Sequence, residues 1–346
     1  MKITDVRAVQ PEVEAAPQDW RGWLGQILVR VDTDEGLTGY GVGGGGLAGI
    51  HVVVTVFRDL LVGLDPKDVE GIWDRMYRLT LPYGQKGLAI MAISGVDLAL
   101  WDLRGKALGK SIVEVLGGTA GQAVPTYKTG WSPGEVLADS EQGYSAVKLQ
   151  VGKLDGDEAV RQLGEMRESL GSDVQIMADA FMSWDEATAL RVAHGIAEYD
   201  IRWLEEPLPA DDLDGYERLC KQSSVPIAGG EHEYTAAAFE DLMKRGIHAI
   251  YQPDVSWCGG LTELFKIYEM ACRYGVRVCP HRGSEIWALH AIVALDPDPL
   301  AESGRPWMTW VGGQPAIEGG TISLRDDPGF GVRFDENLWE FSGGLA

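Results

Sequence analysis

Five short apolar runs in the second half of the chain each close on an acidic residue or a histidine: VQIMAD on Asp179, IRWLE on Glu205, VPIAGGE on Glu231, AIYQPD on Asp254 and RVCPH on His281. The intervals between those residues are 26, 26, 23 and 27 positions. A strand with its returning helix occupies a few tens of residues, so this rhythm predicts a repeated βα unit. Right-handed crossovers build such repeats into a parallel sheet, and a closed barrel points all strand ends at one face. The pattern therefore predicts three carboxylates and an Asp–His pair converging on that face.

Upstream the pattern differs. Residues 2–10 and 25–32 read as strands, Asp34-Glu35-Gly36 as a turn, and LTGYGV as the partner strand of a hairpin. From about 47 to 115 apolar residues recur at helical spacing, most clearly in LAIMAISGVDLALWDLRGKAL. Strands followed by helices predict an α+β module over 1–118, then an α/β barrel over 119–315 beginning at VPTYKT. WMTWVG (307–312) reads as a late barrel strand, and 316–346 as a segment returning to the first module.

Composition narrows the partners. The net charge of -22 disfavours nucleic acid and anionic membranes, whose phosphates it would repel. No apolar run is long enough to span a bilayer, the N-terminus MKITDVRAVQ lacks a signal pattern, and Cys220, Cys258, Cys272 and Cys279 show no paired spacing. The expected setting is the cytoplasm, with reduced thiols. The glycines of GVGGGGLAG (41–49) do not meet the dinucleotide pattern and read as the end of a hairpin leading into a mobile loop. Gly109-Lys110-Ser111 lacks the first glycine of a phosphate loop, because Arg104 stands there.

Asp179, Glu205 and Glu231 suit a hard divalent cation such as Mg2+, since like charges gathered at strand ends need a cation to offset them. Lys148 and Gln150, two apart in VKLQVG, share one face of the preceding strand and would both point into the barrel mouth. Asp254 and His281 lie on neighbouring strands. A carboxylate holding one imidazole nitrogen leaves the other to take a proton, which makes His281 the candidate base.

With these residues in place the chain resembles the enolase superfamily, in its mandelate racemase subgroup, over nearly its whole length. The resemblance rests on DLALWDLRGKALGKSIVEVLGG, the Lys-x-Gln strand and the ordered Asp, Glu, Glu, Asp, His series. It implies an α+β capping domain over a (β/α)7β barrel, Mg2+ on Asp179, Glu205 and Glu231, a base dyad of Asp254 and His281, and Lys148 on the substrate carboxylate. The implied chemistry is removal of a proton alpha to a carboxylate. Mandelate racemase resembles a Lys-x-Lys pattern at the second strand, whereas Gln150 here cannot relay a proton. That departure favours a one-sided elimination: dehydration of an aldonate or aldarate to a 2-keto-3-deoxy acid. A racemase, epimerase or lactone cycloisomerase using Lys148, and a non-catalytic sugar-acid binder, are the alternatives. DAFMS, GEH (230–232) and QPDVSWCGGLT are locally similar to L-rhamnonate dehydratases, which makes His232 a candidate substrate contact or acid. The resemblance places specificity loops near 14–24 and 42–52, with Arg21 and His51 as candidate substrate contacts, and implies a homo-oligomer from dimer to octamer.

Overall fold

The computed structural model describes residues 1–11, 25–302 and 308–339. Strands β1 (Ile3–Val9), β2 (Ile27–Thr33) and β3 (Thr38–Gly43) form an antiparallel sheet in the order β1-β2-β3. Gly36, at φ +77°, takes the left-handed position of the β2–β3 turn. The helix Leu88–Leu108 lies across this sheet and is buried on nearly every side. A Cβ on Gly41 or Gly43 would fall 2.2 Å from Gly95 O or 2.4 Å from Met91 O, so glycine there permits helix and strand backbones to touch. The glycine run is thus packed strand continuing into the helix Gly46–His51, not the mobile loop expected from its composition.

The long helix holds three parts together through buried polar groups. Asp102 accepts from the backbone N–H of Tyr40 and of Phe330, both at 2.9 Å. Asp97 accepts from Thr262 N at 3.0 Å, and Ser94 Oγ from Gly259 N at 2.9 Å. Trp101 Nε1 donates to Thr262 Oγ1 at 2.9 Å. The segment so anchored, 259–262, follows Asp254 closely. Removing one acceptor would strand buried N–H donors at about 1–3 kcal/mol each.

The second unit alternates strands β4 (Ala123–Gly130), β5 (Ala146–Gln150), β6 (Gln175–Asp179), β7 (Ile201–Glu205), β8 (Ile227–Gly229), β9 (Ile250–Tyr251), β10 (Arg277–Val278) and β11 (Ala301–Glu302) with seven helices. Strands β4 to β10 pair parallel in sequence order, and β11 pairs parallel with β4. Between β10 and β11 the contacts are Cys279 Sγ to Leu300 O at 3.6 Å and Ser284 N to Glu302 O at 2.8 Å. This is the (β/α)7β order. Its floor is one residue from each strand or its immediate flank: Tyr127, Ala146, Met177, Trp203, Ala228, Ile250, Cys279 and Leu300. Such a layer makes the interior a packed plug and leaves chemistry to the strand ends.

One placement differs from expectation. The eighth strand is Ala301–Glu302, and residues 308–312 of WMTWVG instead run through turns, with Gly312 bridged to Arg333. The strand is only two residues long and follows DPDPL, so it carries no periodic signal. Met308 and Val311, three positions apart, are buried on either side of a turn at 309–310. The tail forms β12 (Ile317–Glu318) and β13 (Thr321–Ser323), which pairs antiparallel with β4, before Gly329 and Phe330 reach Ser111 and Asp102. Among the described residues no helix is long and apolar enough to cross a membrane.

Candidate active site

Register sets the first row of the site. Gln150 pairs with Asp179 and Asp179 with Glu205, so three strand-end side chains stand side by side. Gln150 Nε2 donates to Asp179 Oδ2 at 2.6 Å. Lys148, buried one pleat below, places Nζ 2.5 Å from Glu205 Oε1, 3.1 Å from Glu302 Oε1 and 3.3 Å from Asp179 Oδ2. Burial alone would drive this lysine toward neutrality, but the three carboxylates outweigh it and hold its pKa well above the ordinary value. Glu205 is also bound through Oε2 by Trp203 Nε1 (3.0 Å) and Gln252 Nε2 (2.7 Å).

The second row is built around imidazoles. His281 Nδ1 lies 2.8 Å from Asp254 Oδ2, and its Nε2 lies 3.1 Å from Glu231 Oε2. Burial pushes the His281 pKa down, yet Glu231 and Asp254 raise it to about 9. His232 Nδ1 lies 2.9 Å from Glu206 Oε2 and 3.5 Å from Glu231 Oε1. Its pKa also rises to about 9, with the Glu206 bond overcoming burial. The rings of Phe181, His232, Trp257 and His281 follow one another at centroid spacings of 5.5, 5.7 and 6.3 Å, forming an aromatic wall. His51 ends its short helix exposed to solvent, and among the described residues its ring bonds no other candidate. Arg21 lies outside the described residues.

Several strand ends are followed by residues in the left-handed region: Phe181 and Met182 after Asp179, Glu206 after Glu205, and Arg282 after His281. For non-glycine residues this costs about 1 kcal/mol or more, and persists only where the surroundings fix it.

The carboxylates suit a hard cation. Burial raises the pKa of Asp179, Glu205 and Glu231, and neighbouring acids raise each further: Glu231 and Glu206 act on Asp179, Asp179 and Glu302 on Glu205, and Glu206 and Glu205 on Glu231. A cation relieves that repulsion, and oxygen donors favour Mg2+ over softer metals. Among the described residues Glu206, Glu231 and His232 form a metal-capable set, with donor atoms within 4.8 Å of one another. Glu231 thus belongs to both this set and the one read from the sequence.

Four site residues escaped the sequence reading. Glu302 was hidden by its two-residue strand; Thr129 Oγ1 donates to its Oε1 at 2.7 Å and Arg282 N to its Oε2 at 3.0 Å. Glu206 was masked as the second half of an acidic doublet. Gln252 and Arg282, each within two positions of a named residue, had no pattern of their own.

Residues 135–338 match the enolase C-terminal domain-like family, and residues 13–117 match the mandelate racemase / muconate lactonizing enzyme N-terminal domain. The chain belongs to the enolase superfamily. Within it, the chain is 38% identical to L-rhamnonate dehydratase of Saccharopolyspora erythraea, over 96% of this chain and 89% of that protein. The 3,6-anhydro-D-galactonate cycloisomerase of Zobellia galactanivorans superposes with a TM-score of 0.88 at 30% identity, covering 99% of each chain. L-talarate dehydratase of Polaromonas sp. JS666, solved with Mg and L-glucarate, gives 0.86 at 28% identity, covering 98% and 97%. Enolase-superfamily membership thus accounts for the capping module beside the parallel strands.

Proposed function

We propose that the protein is an acid-sugar dehydratase that takes a proton alpha to the carboxylate and expels the beta hydroxyl. The observation that carries the reading is the pairing of Gln150 with Asp179 at 2.6 Å, opposite an intact His281–Asp254 dyad. The amide is no base, and Lys148 is kept protonated by three carboxylates. His281, raised only to about 9, is the group that can still give up its proton and act as the base, from one side.

Asp179, Glu205 and Glu231 are assigned as the Mg2+ ligands. When bound, the ion supplies charge stabilisation for the enediolate that forms as the alpha carbon loses its proton. His281 Nε2, the nitrogen not held by Asp254, takes that proton. Asp254 stays ionised: the Arg282 guanidinium and the His281 bond overcome its burial and hold it well below the usual carboxylate range. As the carbon–carbon double bond forms, the beta C–O bond breaks, and the imidazolium returns its proton to the departing hydroxyl as water. The resulting enol tautomerises to the 2-keto-3-deoxy acid. His232, paired with Glu206, is a second donor beside the leaving group.

Similarity to dehydratases of L-rhamnonate and L-talarate supports the reaction class. The cycloisomerase likeness favours a second reading, an isomerisation that leaves the formula unchanged. A panel of aldonates and aldarates including L-rhamnonate, with keto-acid detection, separates the two. Keto acid one water lighter than its substrate supports dehydration; turnover without loss of water supports the isomerase.

A further inference from the structure

The base dyad has a partner, Arg282, whose contacts reach beyond keeping Asp254 ionised. Arg282 is buried, follows the base directly and stands at φ +50°. Its Nη2 donates to Asp254 Oδ2 at 2.6 Å and its Nε to the same oxygen at 3.1 Å. Asp254 Oδ2 is also the atom that receives His281 Nδ1, at 2.8 Å. Nη2 reaches Ser256 Oγ as well, at 2.9 Å, while Ser256 N and Oγ bind Asp254 Oδ1 at 2.8 and 2.6 Å. The guanidinium sits 5.9 Å over the Trp257 ring, within the aromatic wall.

The far side of Arg282 faces the other module. With its amide turned to satisfy both partners, Gln26 accepts through its side-chain oxygen from Arg282 Nη1, and from Nη2 at 3.2 Å. Gln26 immediately precedes β2 of the N-terminal sheet. In that amide orientation a path of polar contacts runs from that sheet through Gln26, Arg282 and Asp254 to His281. A planar, always-charged fork fixes a carboxylate in two dimensions, which an ammonium or a neutral amide does not.

We propose that Arg282 is a positioning residue that couples the seating of Gln26 to the orientation of the Asp254–His281 dyad. The base is then aimed only when the N-terminal module is docked at Gln26. The imidazole gains no new chemistry from this arrangement; it gains a fixed direction, and orientation errors of about an ångström cost about a hundredfold in rate.

This rests on His281 being the base, so the test carries a control for that assignment. Steady-state kinetics are measured for wild type, Gln26→Leu, Arg282→Lys, Arg282→Gln and His281→Asn on the fastest substrate of a panel of six-carbon aldonates and aldarates, alongside Tm. Gln26→Leu is expected to lower kcat about tenfold with KM within about twofold and Tm unchanged. Arg282→Gln is expected to lose about a hundredfold in kcat, and Arg282→Lys to recover part of that loss. Wild-type kcat in Gln26→Leu, or losses confined to KM or tracking Tm, overturns the coupling. If His281→Asn keeps wild-type turnover, the base assignment itself fails. No turnover of any panel member by wild type overturns the dehydratase reading and the inference with it.

Discussion

The two sides of the barrel mouth hold similar numbers of carboxylates and neutralise them differently. Where β5, β6, β7 and β11 end, one buried lysine serves Asp179, Glu205 and Glu302 at 2.5 to 3.3 Å. On the β8–β10 side two imidazoles serve Glu206, Glu231 and Asp254 at 2.8 to 3.5 Å, and the Arg282 guanidinium also holds Asp254, at 2.6 Å. An ammonium held far above its ordinary pKa is a permanent charge, whereas imidazoles near 9 can gain and lose protons. The difference assigns electrostatic work to one side and proton transfer to the other.

That division is open to attack at both ends. The largest effect is expected from His281→Asn, which should lower turnover by about a thousandfold or more and stop alpha-proton exchange in deuterated water. Exchange at the wild-type rate would place the base elsewhere. Next, Lys148→Met leaves three buried carboxylates without their counter-ion. It should destabilise the metal-free protein by about 3–5 kcal/mol in chemical unfolding. An unchanged midpoint would mean that the lysine holds nothing together.

The shared position of Glu231 calls for a sharper comparison. Glu205→Gln is expected to weaken Mg2+ binding in calorimetric titration by more than Glu206→Gln, whose loss should stay within about 10–100-fold as for a group that orients its neighbours. The reverse order would move the metal toward Glu206, Glu231 and His232.

The smallest effect is in stability against pH, measured with chelator present. Both histidines have folded-state pKa values raised to about 9. Their contribution is complete below the unfolded value of about 6.5 and fades as pH rises through 9. Tm should decline across that window, and the double variant His232→Asn, His281→Asn should flatten the decline. On the lysine side Glu205, raised to about 8, adds a smaller decline of its own, which the double histidine variant should leave in place.

Legibility from sequence followed the length of each strand. Asp179 and Glu205 end five-residue strands whose apolar runs announce them, and Lys148 and Gln150 were placed by strand alternation. Glu302 ends a strand of two residues after a proline-rich turn, where no periodicity exists to be read. The identity of the groups that Lys148 and Gln150 touch was not legible, because register between neighbouring strands decides it. Arg282 and Gln26 meet across the two modules, at a sequence distance no local pattern can span. The glycines of β3 were misread for the same reason: their cause is a helix backbone some fifty residues away.

The central claim is removal of one proton from one face followed by loss of the beta hydroxyl. Its most direct test is turnover of L-rhamnonate and related sugar acids in deuterated water, followed by mass and proton resonance. The account predicts a 2-keto-3-deoxy acid lighter by one water. A product of unchanged formula carrying solvent deuterium at the alpha carbon, with no keto acid, would contradict it.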